Sequence, residues 1–195
     1  MIELPELLVP DAAAWRAWLV AHHATSPGVW LVLSKKGGTT TALDYDLALD
    51  EALCFGWIDG QVRRRDDQTM LQRTTPRGPR SRWSRRNVEH VARLTEQGRM
   101  APAGLAAVEA ARADGRWEAA YAGPATAQPP EDLLAAIAAV PAAQAMYDVL
   151  TSQNRYALYH RLSAIKGAEA RRRRIESFVQ MLARGETPHP QRRRP

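Results

Sequence analysis

The sequence predicts an α+β fold, with a small antiparallel sheet and helices in the N-terminal part and an all-helical C-terminal part. Three observations predict it. Short runs rich in β-branched and aromatic residues, at 29–33, 55–62 and 68–75, are confined to the first half of the chain. Stretches of helical periodicity precede and separate them. Beyond a Gly-, Pro- and Ala-rich linker at 123–130, every apolar pattern is helical. The expected domains are an α+β unit at 1–122 and a helical unit at 131–185, with a disordered Pro- and Arg-rich tail at 186–195.

Asp11 caps a first helix carrying Trp15, Trp18, Leu19 and His22 on one stripe. The strand at 29–33 ends in the turn 34–38, whose Lys-Lys-Gly-Gly lacks the spacing of a nucleotide-binding glycine loop. Asp44 caps a second helix with Tyr45, Ala48, Leu49, Ala52 and Leu53 at i, i+3, i+4, i+7 and i+8. The charged turn 63–67 joins the next two strands as a hairpin. Pro76 to Arg80 then stops the sheet, and a helix starts at Ser81 or Ser84 and ends at Gly98. Another runs from Pro102 to Gly115. After the linker, helices are expected at 131–140, from Pro141, at 152–165 and at 168–183.

At 195 residues, with 45% hydrophobic and 25% charged residues, the composition is that of a soluble globular protein. No run approaches the ~20 apolar residues of a membrane span. The first residues lack the basic and apolar regions of a secretory signal, and the single cysteine, Cys54, excludes an internal disulfide framework. A cytoplasmic protein is the expectation. His22 and His23 have no cysteine or carboxylate at ligand spacing, so neither a metal nor a cofactor is expected. The net charge of +6 is uneven: positive charge concentrates in 61–99 and 151–195, and acidic residues exceed basic ones elsewhere. That pattern fits either a polyanion-binding surface or a composition that uses arginine in place of lysine.

Attention falls on 53–60, Leu-Cys-Phe-Gly-Trp-Ile-Asp-Gly, and the arginine-rich run after it. Cys54 lies at a helix C-terminus, which does not favour a thiolate, and reads as a small buried residue. Asp59 is the weak candidate for a catalytic acid or base; its structural role would be to pair with an arginine or to form the turn before Gly60. The expected site is a basic, aromatic cleft made by Lys36, Trp57, Asp59, Arg73, Arg77, Trp83, Ser84 and Asn87, with Arg82 and Arg85 nearby. Guanidinium groups would bind anionic oxygens, and Trp57 and Trp83 would offer stacking faces unless both are core residues. Ser84 equally suits a helix cap. Arg171, Arg172, Arg173 and Arg174 form a second basic patch or a solvated helix face.

The run 52–60 closely resembles the signature of the YdeI/OmpD-associated family, the bacteriocin-protection-like proteins. Gly28, Val29, Trp30 and Leu31 with Lys35 and Lys36 match before it. Thr75-Pro76-Arg77, Ser81-Arg82-Trp83-Ser84, Asn87, Gly98-Arg99-Met100 and Gly104 match after it. Ala164-Ile165-Lys166, Glu169 and 171–175 match more loosely, with Ala170 where the family pattern has threonine. The resemblance implies a bacterial protein associated with survival of antimicrobial peptides or bacteriocins, and it supplies no mechanism.

Three functions follow as expectations. The first is a cytoplasmic stress- or antimicrobial-resistance-associated protein that binds a phosphate-bearing anion, nucleic acid or nucleotide, in the cleft. The second is an enzyme acting on a small anionic metabolite or antimicrobial with Asp59 as acid or base. The third is an interaction module whose basic C-terminal helix meets an acidic protein.

Overall fold

The computed structural model describes residues 3–124 and 126–195. The chain divides into two compact units, Met1–Ala120 and Tyr121–Pro195.

In the first unit the elements run β1 (Glu6–Leu7), α1 (Ala12–His22), β2 (Val29–Ser34), α2 (Tyr45–Cys54), β3 (Trp57–Arg64), β4 (Thr69–Pro76), α3 (Arg85–Glu96) and α4 (Pro102–Ala113). The helices begin where side chains satisfy their first free N–H groups. Asp11 accepts from Ala14 N at 2.8 Å, Asp44 from Leu47 N at 2.9 Å and Ser84 from Asn87 N at 3.1 Å. Pro102, at the start of α4, has no N–H to satisfy.

The sheet order is β1-β2-β4-β3. β2, β4 and β3 are antiparallel neighbours as expected, and the two-residue β1, which has no pattern of its own in the sequence, adds a parallel edge to β2. Side chains alternate across a strand. Val29, Leu31 and Leu33 join Trp15 and Leu19 of α1, Leu49 and Leu53 of α2, Val91 and Leu94 of α3 and Val108 of α4 in one core. Trp30 and Val32 point to the opposite face, and in β4 Arg73 and Leu71 stand beside them in register. All six tryptophans of the chain lie in this unit.

The join between α2 and β3 fixes how the layers meet. Gly56 turns the chain at φ +72, a backbone conformation that side-chain-bearing residues rarely adopt. Ala101 N donates to Cys54 O at 3.0 Å, bringing the start of α4 onto the end of α2. The approach is so close that a Cβ on Gly104 would lie 2.2 Å from the Cys54 carbonyl oxygen.

The second unit contains α5 (Glu131–Ala138), α6 (Pro141–Asp148), α7 (Ser152–Ser163) and α8 (Ala168–Ala183). Leu133, Ile137, Met146, Leu158, Leu162, Ile175, Phe178 and Leu182 form its separate core. The tail expected to be disordered carries no helix or strand, but part of it is fixed by a buried amide. Asn154 accepts from His189 N at 2.8 Å and donates to His189 O at 3.1 Å, and Gln191 donates to Val149 O at 3.2 Å. Composition alone does not reveal such a long-range partner.

Replacing Gly104 with alanine pushes a methyl group into backbone, which cannot rotate away. Gly104→Ala is expected to destabilise the protein by about 1–3 kcal/mol. Gly78→Ala, with no atom within 4 Å of its Cβ, is the control. Urea unfolding followed by tryptophan fluorescence measures both, and equal midpoints for the two variants would contradict the close-approach account.

Candidate functional site

The two tryptophans of the expected cleft are buried. Trp57 is 1% exposed, and its ring lies edge-on to Trp15 and Trp18 at 6.2 and 5.8 Å. Its indole N–H donates to His23 O at 3.2 Å. Trp83 is also 1% exposed, with the Arg77 guanidinium 3.5 Å above its ring and Trp117 against it at 4.8 Å. Arg77 donates in turn to Arg82 O at 3.2 Å. These rings are core residues with their faces occupied, which corrects the expectation that they stack a ligand. Polar neighbours in sequence misled, because the turn at Gly56 carries Trp57 inward. Asn87 is buried as well, and Ser84 acts as the α3 cap. Lys36 is exposed in the β2–α2 loop.

Asp59 is set apart from these groups. It is half-buried, accepts from the Tyr45 phenol at 2.9 Å, and lines a small cavity with Tyr45, Ala48, Leu49, Ala52, Gln72 and Thr74. Burial, followed by the charge of Asp59, pushes the Tyr45 hydroxyl well above its usual range, so it remains a donor.

A charge network that sequence reasoning missed lies on α2. Asp50 and Glu51 are only 8% and 6% exposed. Arg93 Nη2 lies 2.7 and 2.8 Å from the two Asp50 oxygens, and His90 Nδ1 is 2.8 Å from one of them. Glu51 is held by Arg16 at 2.7 Å and Arg99 at 2.6 Å. Burial alone would raise the Asp50 carboxyl, but hydrogen bonds from Arg93 and His90 outweigh it and hold the group below its ordinary range. One turn along, burial and the neighbouring Glu51 push the Cys54 thiol up, which suits an inert packing residue. This network ties α1, α2 and α3 together and has its partners within the fold. Among the described residues no group of three or more His, Cys, Asp or Glu is placed to hold a metal.

The outward face of the sheet gathers basic and aromatic groups instead. The Arg63 guanidinium lies 4.0 Å over the Trp30 ring, and Arg73 pairs with Trp30 across β2 and β4. Beside them a groove of about 560 Å³ is lined by Glu3, Leu4, Pro5, Glu6, Trp30, Arg63 and Leu71. Other arginines of the hairpin are engaged: Arg64 with Asp67 at 2.7 Å, and Arg65 with Glu6 at 2.7 Å and Asp66 at 3.0 Å. Neither Arg63 nor Arg73 has a carboxylate partner among the described residues.

In the second unit the arginine run is threaded with acids. Arg171 grips both Asp132 oxygens at 2.6 and 2.8 Å, Arg173 pairs with Glu169 at 3.1 Å and Arg172 lies 3.9 Å from Glu176. Arg174 lies over Phe178 at 5.8 Å.

The Asp50 network carries a pH signature. Because the folded carboxyl is held below its ordinary value of 3.8, its contribution to stability is complete above that value. It is lost as the pH falls through the folded value. Asp50→Asn is expected to lower the urea midpoint at neutral pH and to flatten its decline between about pH 5 and 2. An acid decline as steep as that of the wild type would count against this assignment.

No curated protein and no solved structure matches the chain. Two family models do, one in each part of the chain. Residues 126–185 match the family described as Bacteriocin-protection, YdeI or OmpD-Associated, in agreement with the resemblance seen in the sequence. The signature at 52–60 falls within the other match, which spans residues 7–107 and so more than half of the 195 residues. The chain therefore belongs to the family described as Domain of unknown function (DUF8412), and it joins to that domain a segment matching the Bacteriocin-protection, YdeI or OmpD-Associated family.

Proposed function

We propose that the protein is a cytoplasmic, antimicrobial-resistance-associated protein that binds a phosphate-bearing ligand, nucleic acid or nucleotide, on the outward face of its sheet. The observation that carries this reading is Trp30 set between two arginines that lack carboxylate partners, Arg63 stacked on its ring at 4.0 Å and Arg73 in register beside it. A guanidinium stacked on an indole keeps its in-plane N–H groups for phosphate oxygens, and Trp30, itself 8% exposed, serves to hold Arg63 rather than to stack a base. Glu6 in the groove is neutralised by Arg65 at 2.7 Å, leaving Glu3 as its remaining acid. Lys36 adds an exposed cation in the β2–α2 loop. The description of the family matched at 126–185 supports the resistance role.

Two other readings have less support. An acidic protein docking on Arg171–174 would compete with Asp132, Glu169 and Glu176, which already lie against that run. Among the described residues no Lys, Arg or His forms an ion pair with Asp59, and Arg86, which lies 5.4 Å over the Tyr45 ring, is held by Asp46.

Fluorescence polarisation with labelled single- and double-stranded oligonucleotides tests the proposal. Binding is expected to weaken steeply between about 50 and 200 mM salt, as counterion release requires. Trp30→Ala, which removes the ring that holds Arg63 in place, should weaken binding by up to about tenfold, on the scale of ~0.5–2 kcal/mol for a cation–π contact. Arg73→Glu should weaken binding and lower its salt slope, and Arg173→Glu should leave it unchanged. Absence of binding at low salt, or a Trp30→Ala variant that binds like the wild type, overturns the reading.

A further inference from the structure

We propose that the cavity between α2 and the sheet is a binding site for an ammonium group, whether free ammonium or the head of a primary amine. The argument rests on where its hydrogens already go. The Tyr45 hydroxyl donates to Asp59 Oδ2 at 2.9 Å. The Thr74 hydroxyl is directed to the Gln72 carbonyl at 3.4 Å. The Gln72 amide nitrogen faces three backbone carbonyls, those of Gly60, Gln61 and Arg73, at 3.0, 3.4 and 3.3 Å. Those carbonyls fix which end of the amide is nitrogen, because a flipped amide would set oxygen against oxygen three times.

The polar side chains of the lining therefore have their hydrogens committed elsewhere. Gln72 is 2% exposed, and no donor among the described residues reaches its Oε1. A buried acceptor left in that state is costly, so the site demands a donor. Asp59 adds a negative charge, and no Lys, Arg or His lies within ion-pair distance of it among the described residues. Water would supply protons but not the compensating charge. An anion would meet a carboxylate and a carbonyl oxygen. An ammonium group supplies several N–H donors and the missing positive charge together.

Size agrees with this chemistry. The cavity volume is about 10 Å³, room for one water-sized group. Asp59, expected with the anion-binding residues, is thus assigned to the opposite charge.

Thermal-shift and calorimetric titrations of the full chain with ammonium, potassium and tetramethylammonium chlorides at equal ionic strength test the assignment. Ammonium should raise the melting temperature in a saturable way. Potassium has the charge without donors, and tetramethylammonium has neither donors nor the right size, so both should fail to do so. A methylammonium arm separates the two sources: a matching response identifies an amine head, and a response to ammonium alone identifies the free ion. Asp59→Asn should weaken binding at least about tenfold, since hydrogen bonds to charged groups contribute ~1.5–3 kcal/mol. Trp30→Ala should not change it, which keeps this result separate from that of the sheet face. Equal responses to all the salts, or potassium acting as well as ammonium, overturns the assignment, and that comparison needs no variant to fold.

Discussion

The close packing of α4 against the Cys54 carbonyl is the constraint on which the first unit depends. It demands glycine at 104, while the left-handed turn that follows α2 demands glycine at 56. Together they set the direction in which β3 leaves the helix. That direction sends Trp57 into the Trp15–Trp18 pair and places Asp59 opposite Tyr45. The signature at 52–60 is first a joint between layers, and its chemistry is what the joint positions.

Charge then divides the unit into parts with different uses. Asp50 and Glu51 sit where desolvation is severe, and their hydrogen-bonded arginines and histidine balance it, as a buried pair requires. Arg63 and Arg73 have no carboxylate partners among the described residues and flank the ring of Trp30. Asp59 has no ion-pair partner among the described residues and lines a small cavity with Tyr45, Gln72 and Thr74 on its polar side. Of these three groups the two without ion-pair partners, positive on the outer face and negative beneath α2, are the ones on which the two proposals rest, and they call for ligands of opposite sign.

Much of the architecture was legible because its signals are local. Asp44 followed by the 3.6-residue stripe of α2, and the β-branched runs of β2 and β4, each specify their element within a few residues. The candidate site was legible only in its residue types. Trp57 and Trp83 carry the polar neighbours of a surface, yet Gly56 and the stacking of Arg77 turn them into core. The burial of Asp50 and Glu51 has no local signal, because the residues that make it tolerable lie more than thirty positions away in the chain. Trp30 is 8% exposed, and the arginines around it come from two other strands. The Gln72 acceptor depends on three carbonyls brought together by the β3 irregularity between Asp59 and Val62, which no side-chain pattern encodes.

The confinement of all six tryptophans to the first unit has an optical consequence. Indole emission and the near-ultraviolet bands of the Trp15, Trp18 and Trp57 group report on that unit alone. The second unit has tyrosines, Tyr147 and Tyr159 among them with their hydroxyls hydrogen-bonded to each other, but no indole. If the units melt separately, a trace excited at 295 nm follows the loss of one and passes over the other, so its midpoint describes the sheet-bearing half of the molecule.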